Sequence, residues 1–216
     1  MKKFITFAFA MLLALLLLVA CSGSGDNSNG ENNQKDDSKE DLNLSGVLYD
    51  FTFKLEGDTI TLPIMLEEFQ SYGWEPTPTL ELAENIGSKT LGAAIFVKNG
   101  KELSLGLINL SDETLPIQKC MVYSLKSYSY DDYVSEDDHE NYAVIELPKG
   151  IILGVSTKDD VLRAYGNPSQ KFFTNDEETE LREVLYYGEN FRNVEIITDK
   201  RKNNVVVEIE INNRGD

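Results

Sequence analysis

The sequence predicts an α+β fold with two small modules, each a short helical element packed on an antiparallel β-sheet. Three observations support this prediction: an Asn-Gly turn between two alternating strands, a short segment with helix-capping residues at both ends, and one order of elements in both halves. Short strands that follow short helices, with tight turns between them, are typical of α+β domains.

The clearest hairpin surrounds Asn99-Gly100, with strands predicted over 91–98 and 101–109. Asn-Gly is the favoured two-residue hairpin turn, because both residues accept a positive φ. Three leucines alternate along the second strand and therefore share one face. These are Leu103, Leu105 and Leu107.

Two short helices are predicted, one in each half. Thr157 is a good N-cap, and Gly166 followed by Pro168 ends that helix. The first helix covers 64–72, with Pro63 at its first helical position and Gly73 as its C′ residue. Both helices end in Tyr-Gly, which favours a diverged tandem repeat.

Further strands are predicted between the turns. They cover 47–55, 117–128, 142–147, 171–173, 181–187, 191–198 and 205–211. The last of them alternates, so that Val205, Val207, Ile209 and Ile211 are expected on one face.

The N-terminus has the pattern of a secretory signal. Lys2 and Lys3 precede an uncharged segment, 4–20, that ends in Leu18-Val19-Ala20-Cys21. That segment is shorter than the roughly 20 apolar residues of a membrane-spanning helix. It suits the hydrophobic region of a signal peptide.

The last four residues resemble the bacterial lipobox. The resemblance implies cleavage before Cys21, a diacylglycerol thioether on its sulfur, and further acylation such as palmitate on the new amine. The expected location is the extracytoplasmic face of the cell membrane. An ordinary signal peptide or an anchor helix that happens to end in Cys is the alternative.

The composition divides the chain into five parts: a signal peptide (1–20), a lipidated Cys and polar tether (21–45), a first module (46–130), an acidic connector (131–141) and a second module (142–216). The tether cannot bury enough apolar surface to fold. The connector has many carboxylates, so Ca²⁺ binding there is an alternative to plain solvation. Its His139 is expected to be a solvated loop residue.

Charge and motif content exclude several functions. The chain has 37 acidic and 20 basic residues, a net charge of −17, which disfavours nucleic-acid binding. It lacks the nucleophile-elbow, zincin and Walker motifs, so no catalytic residue, resident metal or cofactor is predicted. Cys120 is expected to be a packed core thiol, since the sequence places no histidine near it.

The segment 154–168 resembles a motif of β-lactamase inhibitor protein (BLIP)-like and SmpA/OmlA-like α/β modules, and of Gram-positive lipoproteins of uncharacterised function. The matching residues are Gly154, Val155, Thr157, Asp160, Val161, Tyr165, Gly166 and Pro168. The resemblance implies tandem modules. Its residues serve caps and turns, so it transfers no function.

These observations predict a lipid-anchored, extracytoplasmic binding module of the bacterial cell envelope, with a protein or envelope polymer as partner. Inhibition of a secreted or envelope hydrolase and a metal-dependent envelope enzyme are the alternatives. Trp74 is a candidate partner contact, or else a ring folded over the core. The tyrosines Tyr123, Tyr128, Tyr130 and Tyr133 have the same two interpretations.

Overall fold

The fold is α+β and consists mostly of antiparallel strands, as the sequence predicts. The structure, a computed structural model, describes residues 47–77, 84–129, 141–173 and 181–215. All of them belong to one compact unit. The helices are α1 (Leu66–Ser71) and α2 (Lys158–Tyr165). The strands are β1 (Thr52–Leu55), β2 (Asp58–Thr61), β3 (Ile64–Met65), β4 (Glu75–Pro76), β5 (Asn85–Ile86), β6 (Leu91–Lys98), β7 (Lys101–Ile108), β8 (Leu115–Pro116), β9 (Met121–Tyr128), β10 (Ile145–Leu147), β11 (Ile151–Ile152), β12 (Gln170–Phe173), β13 (Arg182–Glu189), β14 (Arg192–Asp199) and β15 (Val205–Asn213).

Strands from both halves of the chain form each of the two main sheets. The larger sheet has the order β12-β13-β14-β15-β9-β7-β6-β4, and β3 also pairs with β9. The smaller sheet has the order β11-β10-β1-β2, and β5 pairs with β8 alone. The halves meet where β9 pairs with β15 and where β1 pairs with β10, both antiparallel.

One continuous core lies between the larger sheet and the elements that cover it. Phe53 and Ile145 of the smaller sheet belong to the same buried cluster as Leu105 and Ile209 of the larger sheet, and Val161 of α2 joins them. Full burial of such a side chain stabilises the fold by roughly 1.5–3 kcal/mol. The core therefore ties both halves together.

The predicted hairpin is confirmed as β6 and β7, paired from Lys98 and Lys101 at the turn to Leu91 and Ile108 at the far end. Asn99 and Gly100 both have positive φ values, 53° and 79°. This is the backbone that a two-residue hairpin turn requires.

Helix α2 begins and ends where its capping residues predict. The Thr157 hydroxyl accepts a hydrogen bond from the Asp160 N–H, and the Asp160 carboxylate accepts one from the Thr157 N–H at 2.9 Å. This capping box satisfies two otherwise unpaired donors. The hydrogen bond from the Thr157 N–H, with others that the Thr157 hydroxyl and Arg163 donate to the same carboxylate, holds the pKa of Asp160 below its ordinary value. Gly166 ends the helix with a φ of 75°.

Helix α1 is shorter than predicted. Ile64 and Met65 pair with β9 as strand β3, so the helix begins at Leu66 and Pro63 is not its first residue. The Leu62–Pro63 peptide bond is cis. Gly73 follows the helix with a φ of 86°, as its predicted C′ role requires. Pairing with β9 therefore makes Ile64 and Met65 part of a strand, although the sequence pattern alone predicts that they are helical.

The last strand differs from its predicted pattern. A register shift between Ile197 and Thr198 puts an extra residue into β15. Val207 consequently joins a small second cluster with Ile197, while Ile209 faces the main core. A β-bulge of this kind reverses the alternation of side chains along a strand. The prediction that all four apolar residues of this strand share one face is therefore wrong.

Candidate functional site

The outward face of the larger sheet is the candidate functional surface, because it spans the strands of both halves of the chain. Side chains alternate along each strand, so one set points into the core and the other points away from it. Both helices and the smaller sheet contribute their buried side chains to the core on the inward side. On the outward side, Val184, Ile197 and Val207 are buried as a small second cluster.

A row of polar side chains crosses this face through five adjacent strands. The strand registers align Tyr186 of β13 with Glu195 of β14, Glu195 with Glu210 of β15, Glu210 with Lys126 of β9, and Lys126 with Ser104 of β7. Directly opposed residues of antiparallel strands share a face and stand about 5 Å apart at Cβ. We call these five residues the outward row. It runs from the second half of the chain into the first.

Carboxylates outnumber ammonium groups in the outward row. Lys126 forms an ion pair with Glu208 and lies 3.7 Å from Glu210, measured from its Nζ to Oε2. The amide of Asn212 donates to Glu210 Oε1 at 3.2 Å. Glu195 forms no ion pair with any residue in the described ranges. Three glutamates therefore surround one lysine.

Burial and this imbalance of charge together shift the pKa values of Glu195 and Lys126. Partial burial raises the pKa of Glu195, and the neighbouring charge of Glu210 raises it further. Burial alone would lower the pKa of Lys126, but its hydrogen bond and charge interaction with Glu208 outweigh burial and raise it. A cation brought to Glu195 would replace a repulsive environment with an attractive one. The row is therefore suited to basic groups.

Tyrosines border the acidic part of this face. Tyr128, which is 41% exposed, pairs in register with Glu208. Tyr123 occupies the irregular position of β9, and its ring lies against Gly106. Both were among the predicted tyrosines, whereas Tyr130 and Tyr133 lie outside the described residues. Sequence reasoning missed Tyr186, although its strand was predicted, because the partner strands that place it beside Glu195 are distant in the chain.

Trp74 is in the core, which corrects its prediction as a partner contact. Its side chain is fully buried, and its ring centroid lies 6.2 Å from that of Phe69. Phe96 packs edge-on against the same Phe69 ring. Of the two interpretations of Trp74, the ring folded over the core is the one found.

Cys120 is a buried free thiol, as predicted. Its Sγ lies 3.7 Å from the carbonyl oxygen of Pro116. Burial raises the pKa of the thiol. Since the thiolate is the reactive form, this environment makes Cys120 a poor nucleophile.

Other predicted site residues lie outside the described residues. They are Cys21, His139 and the connector carboxylates Asp131, Asp132, Glu136, Asp137, Asp138 and Glu140. Among the described residues, no group of three His, Cys, Asp or Glu side chains is placed to hold a metal ion. The same part of the chain contains no helix long and apolar enough to cross a membrane.

Comparison of the chain with protein-family models, with curated proteins and with solved structures gives no match. The candidate site therefore stands on its own geometry. The strand registers of the outward row align three charged side chains and two neutral polar ones across five strands and both halves of the chain.

Proposed function

We propose that the chain is a lipid-anchored binding module on the extracytoplasmic face of the bacterial cell membrane, and that the outward face of its larger sheet holds the partner. The observation that carries the proposal is the outward row: a line of polar side chains across five strands of the larger sheet, with tyrosines beside it. The proposed anchor is a lipid on Cys21. The proposed partner is a protein or an envelope polymer, since the net charge of −17 disfavours nucleic acid.

Binding suits this surface better than catalysis. Its carboxylates are spread along strands rather than gathered around a cavity, and tyrosines are among the residues that contribute most to protein interfaces. Glu195 and Glu210 favour a partner with basic side chains. Complementary charge of this kind accelerates association and selects the partner.

We also propose that the two halves are diverged copies of one unit. Each begins with a strand pair of the smaller sheet, β1-β2 or β10-β11, and continues with a short helix. In the larger sheet, β4-β6-β7-β9 and β12-β13-β14-β15 then run from opposite edges to the centre. Corresponding strands meet at both junctions, which is what a two-fold relation between copies produces. The outward row crosses that junction.

A photo-crosslinking amino acid at Tyr186 or Ser104 tests the binding surface. These positions are the two ends of the outward row, so we expect both to give one common adduct in the native envelope. The same amino acid at Glu68 or Lys119, which are exposed on other elements, should not give it.

Charge provides a second readout of the same experiment. Glu195→Gln with Glu210→Gln should reduce the yield of the adduct, whereas Glu67→Gln with Glu68→Gln removes the same charge from α1 and should not. Equal yields from the row and the control positions would contradict the proposed surface. If the adduct is an envelope hydrolase, the module is an inhibitor of that enzyme.

Replacement of Cys21 tests the anchor. Cys21→Ser should abolish labelling by radioactive palmitate and release the protein from the membrane fraction, because the thioether needs the sulfur and one acyl chain alone anchors poorly. Cys120→Ala is the matched control and should keep both properties, since that thiol is buried. Unchanged labelling in the Cys21 variant would exclude the lipobox interpretation.

A further inference from the structure

The larger sheet ends on one side at β12, whose outer edge is open. β12 stands last in the strand order and pairs with β13. All four of its residues, Gln170–Phe173, are exposed to solvent. Among the described residues, no backbone group bonds to its outer edge. Such an edge presents a row of N–H and C=O groups that another strand can pair with.

The opposite edge of the same sheet is protected against pairing. It is strand β4, which has only two residues, Glu75 and Pro76. A proline has no N–H to give to a neighbouring strand, and very short edge strands are a common protection against unwanted pairing. β12 is twice as long as β4 and contains no proline. The two edges therefore differ, and β12 is the one suited to a further strand.

Two adjacent phenylalanines lie on the open edge. Phe172 is 44% exposed and Phe173 is 41% exposed. Gln170 pairs in register with Tyr186 of the outward row, so Gln170 and Phe172 are on the outward face and Phe173 is on the other. A strand added to β12 would cover both rings and would extend the outward row by one residue. Exposed apolar residues on an edge strand favour such pairing.

The charged residue of this edge is Lys171. Its side chain is exposed and forms no ion pair with any residue of the described ranges. Lys200 lies near the same face, with its Nζ 4.9 Å from the ring centroid of Phe173. Directly opposed residues of opposite charge stabilise a strand pair, whereas like charges destabilise it. A strand added here therefore fits best with a carboxylate opposite Lys171.

A second copy of the chain fits this edge less well than another protein does. β12 contains no acidic residue, so a copy of the same strand would give Lys171 no counter-charge. Two whole chains that each have a net charge of −17 also repel one another. The edge therefore suits a strand from a different protein.

We propose that β12 receives an extended segment of another envelope protein, which adds to the larger sheet as an antiparallel strand. Main-chain hydrogen bonds provide the affinity in strand addition, and alternate side chains provide the specificity. Read in its own direction, the segment has two apolar residues opposite Phe173 and Phe172 and then an acid opposite Lys171. This binding mode goes beyond the outward row and rests on the proposed function only in making the chain a protein-binding module.

Synthetic peptides test this edge in the full-length chain, solubilised in detergent. The first peptide contains Val-Phe-Glu-Thr and has a fluorescein label, so fluorescence anisotropy measures its binding. The second has lysine in place of the glutamate. The third has the first sequence with every backbone N–H methylated, so it cannot donate hydrogen bonds to β12.

We expect saturable binding of the glutamate peptide with a Kd below about 1 mM and no binding of the methylated peptide. The glutamate peptide should bind about threefold more tightly than the lysine peptide, and Lys171→Glu should reverse this preference. Lys119→Glu makes the same change of charge at another exposed position and should keep the wild-type preference.

The ring of Phe172 provides an independent variant. Phe172→Thr should weaken binding of the glutamate peptide at least about threefold, because the peptide loses an aromatic neighbour on the outward face. Phe191→Thr removes an exposed ring from the β13–β14 turn and should leave the Kd unchanged.

Three results would each overturn the proposal. They are the absence of saturable binding by the glutamate peptide, equal binding of the methylated peptide, and the same peptide preference in Lys171→Glu and Lys119→Glu. Self-association of the full-length chain that Phe172→Thr abolishes would also overturn it, since a second copy would then occupy the edge. The titration needs neither the lipid on Cys21 nor the outward row, so its failure is distinguishable from failure of the proposed function.

Discussion

Trp74→Ala should destabilise the protein by about 3–5 kcal/mol, the usual range for removing a large buried aromatic side chain. Trp74 is fully buried, stacks on Phe69 and lies beneath Lys98, whose Nζ is 6.0 Å from its ring centroid. The variant leaves a cavity that the surrounding strands can fill only in part. Urea unfolding followed by circular dichroism measures the loss.

Two further variants show whether packing is the cause. Among the residues that the structure describes, the indole N–H of Trp74 has no hydrogen-bond partner. Trp74→Phe therefore loses little besides volume and should retain more than half of the lost stability. Phe172→Ala removes an aromatic ring that is 44% exposed and should change stability little. If Trp74→Ala unfolds at the wild-type urea concentration, the position of Trp74 in the core is wrong.

Asp199→Ala should cost about 3 kcal/mol, near the lower end of the range for breaking a buried ion pair from one side. The carboxylate is completely buried and accepts hydrogen bonds from the Arg201 N–H at 2.8 Å, from Arg201 Nη2 at 2.6 Å and from Arg182 Nε at 3.3 Å. Its loss leaves two guanidiniums and a backbone donor without this acceptor. Both arginines reach solvent, which limits the cost.

The same carboxylate predicts a pH dependence. Burial alone would raise the pKa of Asp199, but its hydrogen bonds with Arg201, the charge of Arg201 and its hydrogen bond with Arg182 outweigh burial and hold the pKa below its ordinary value. An acid with a depressed pKa stabilises the fold fully above its unfolded pKa of about 3.9, and this stabilisation is lost as the pH falls through the folded pKa.

Urea midpoints between pH 2 and pH 7 measure this effect, with the fluorescence of the single tryptophan, Trp74, as the probe. The wild type should lose stability toward low pH more steeply than Asp199→Ala does. Asp112→Ala is the control, because Asp112 pairs with Lys89 on the exposed surface. Parallel pH curves for the wild type and Asp199→Ala would contradict the assigned role.

Local signals explain why parts of the fold are predictable. The hairpin at Asn99-Gly100 and the capping box of Thr157 are decided by residues within a few positions of one another, and both appear where predicted. The start of α1 is not predictable from local sequence, because Ile64 and Met65 pair with residues of β9 that are more than 50 positions away. Propensity cannot anticipate such a pairing.

The candidate site depends on long-range pairing still more. Glu195, Glu210 and Lys126 are ordinary charged strand residues until the order β14-β15-β9 aligns them. Trp74 illustrates the reverse case. Its neighbours Gly73 and Pro76 indicate a loop, but Glu75 and Pro76 pair with β6 as strand β4 and hold the indole over the core. Neither result follows from composition or from spacing along the chain.

The pairing of β9 with β15 has a consequence for the order in which the chain folds. Residues 205–213 are synthesised well after residues 121–128, so one edge of β9 has no neighbour until β15 has emerged. One edge of β1 is likewise unpaired until β10 has been synthesised. Contacts so distant in sequence form slowly, and an unpaired edge is open to other chains. Loss of residues 205–213 would therefore open one edge of β9 and part of the core to proteases and to chaperones that bind open strands.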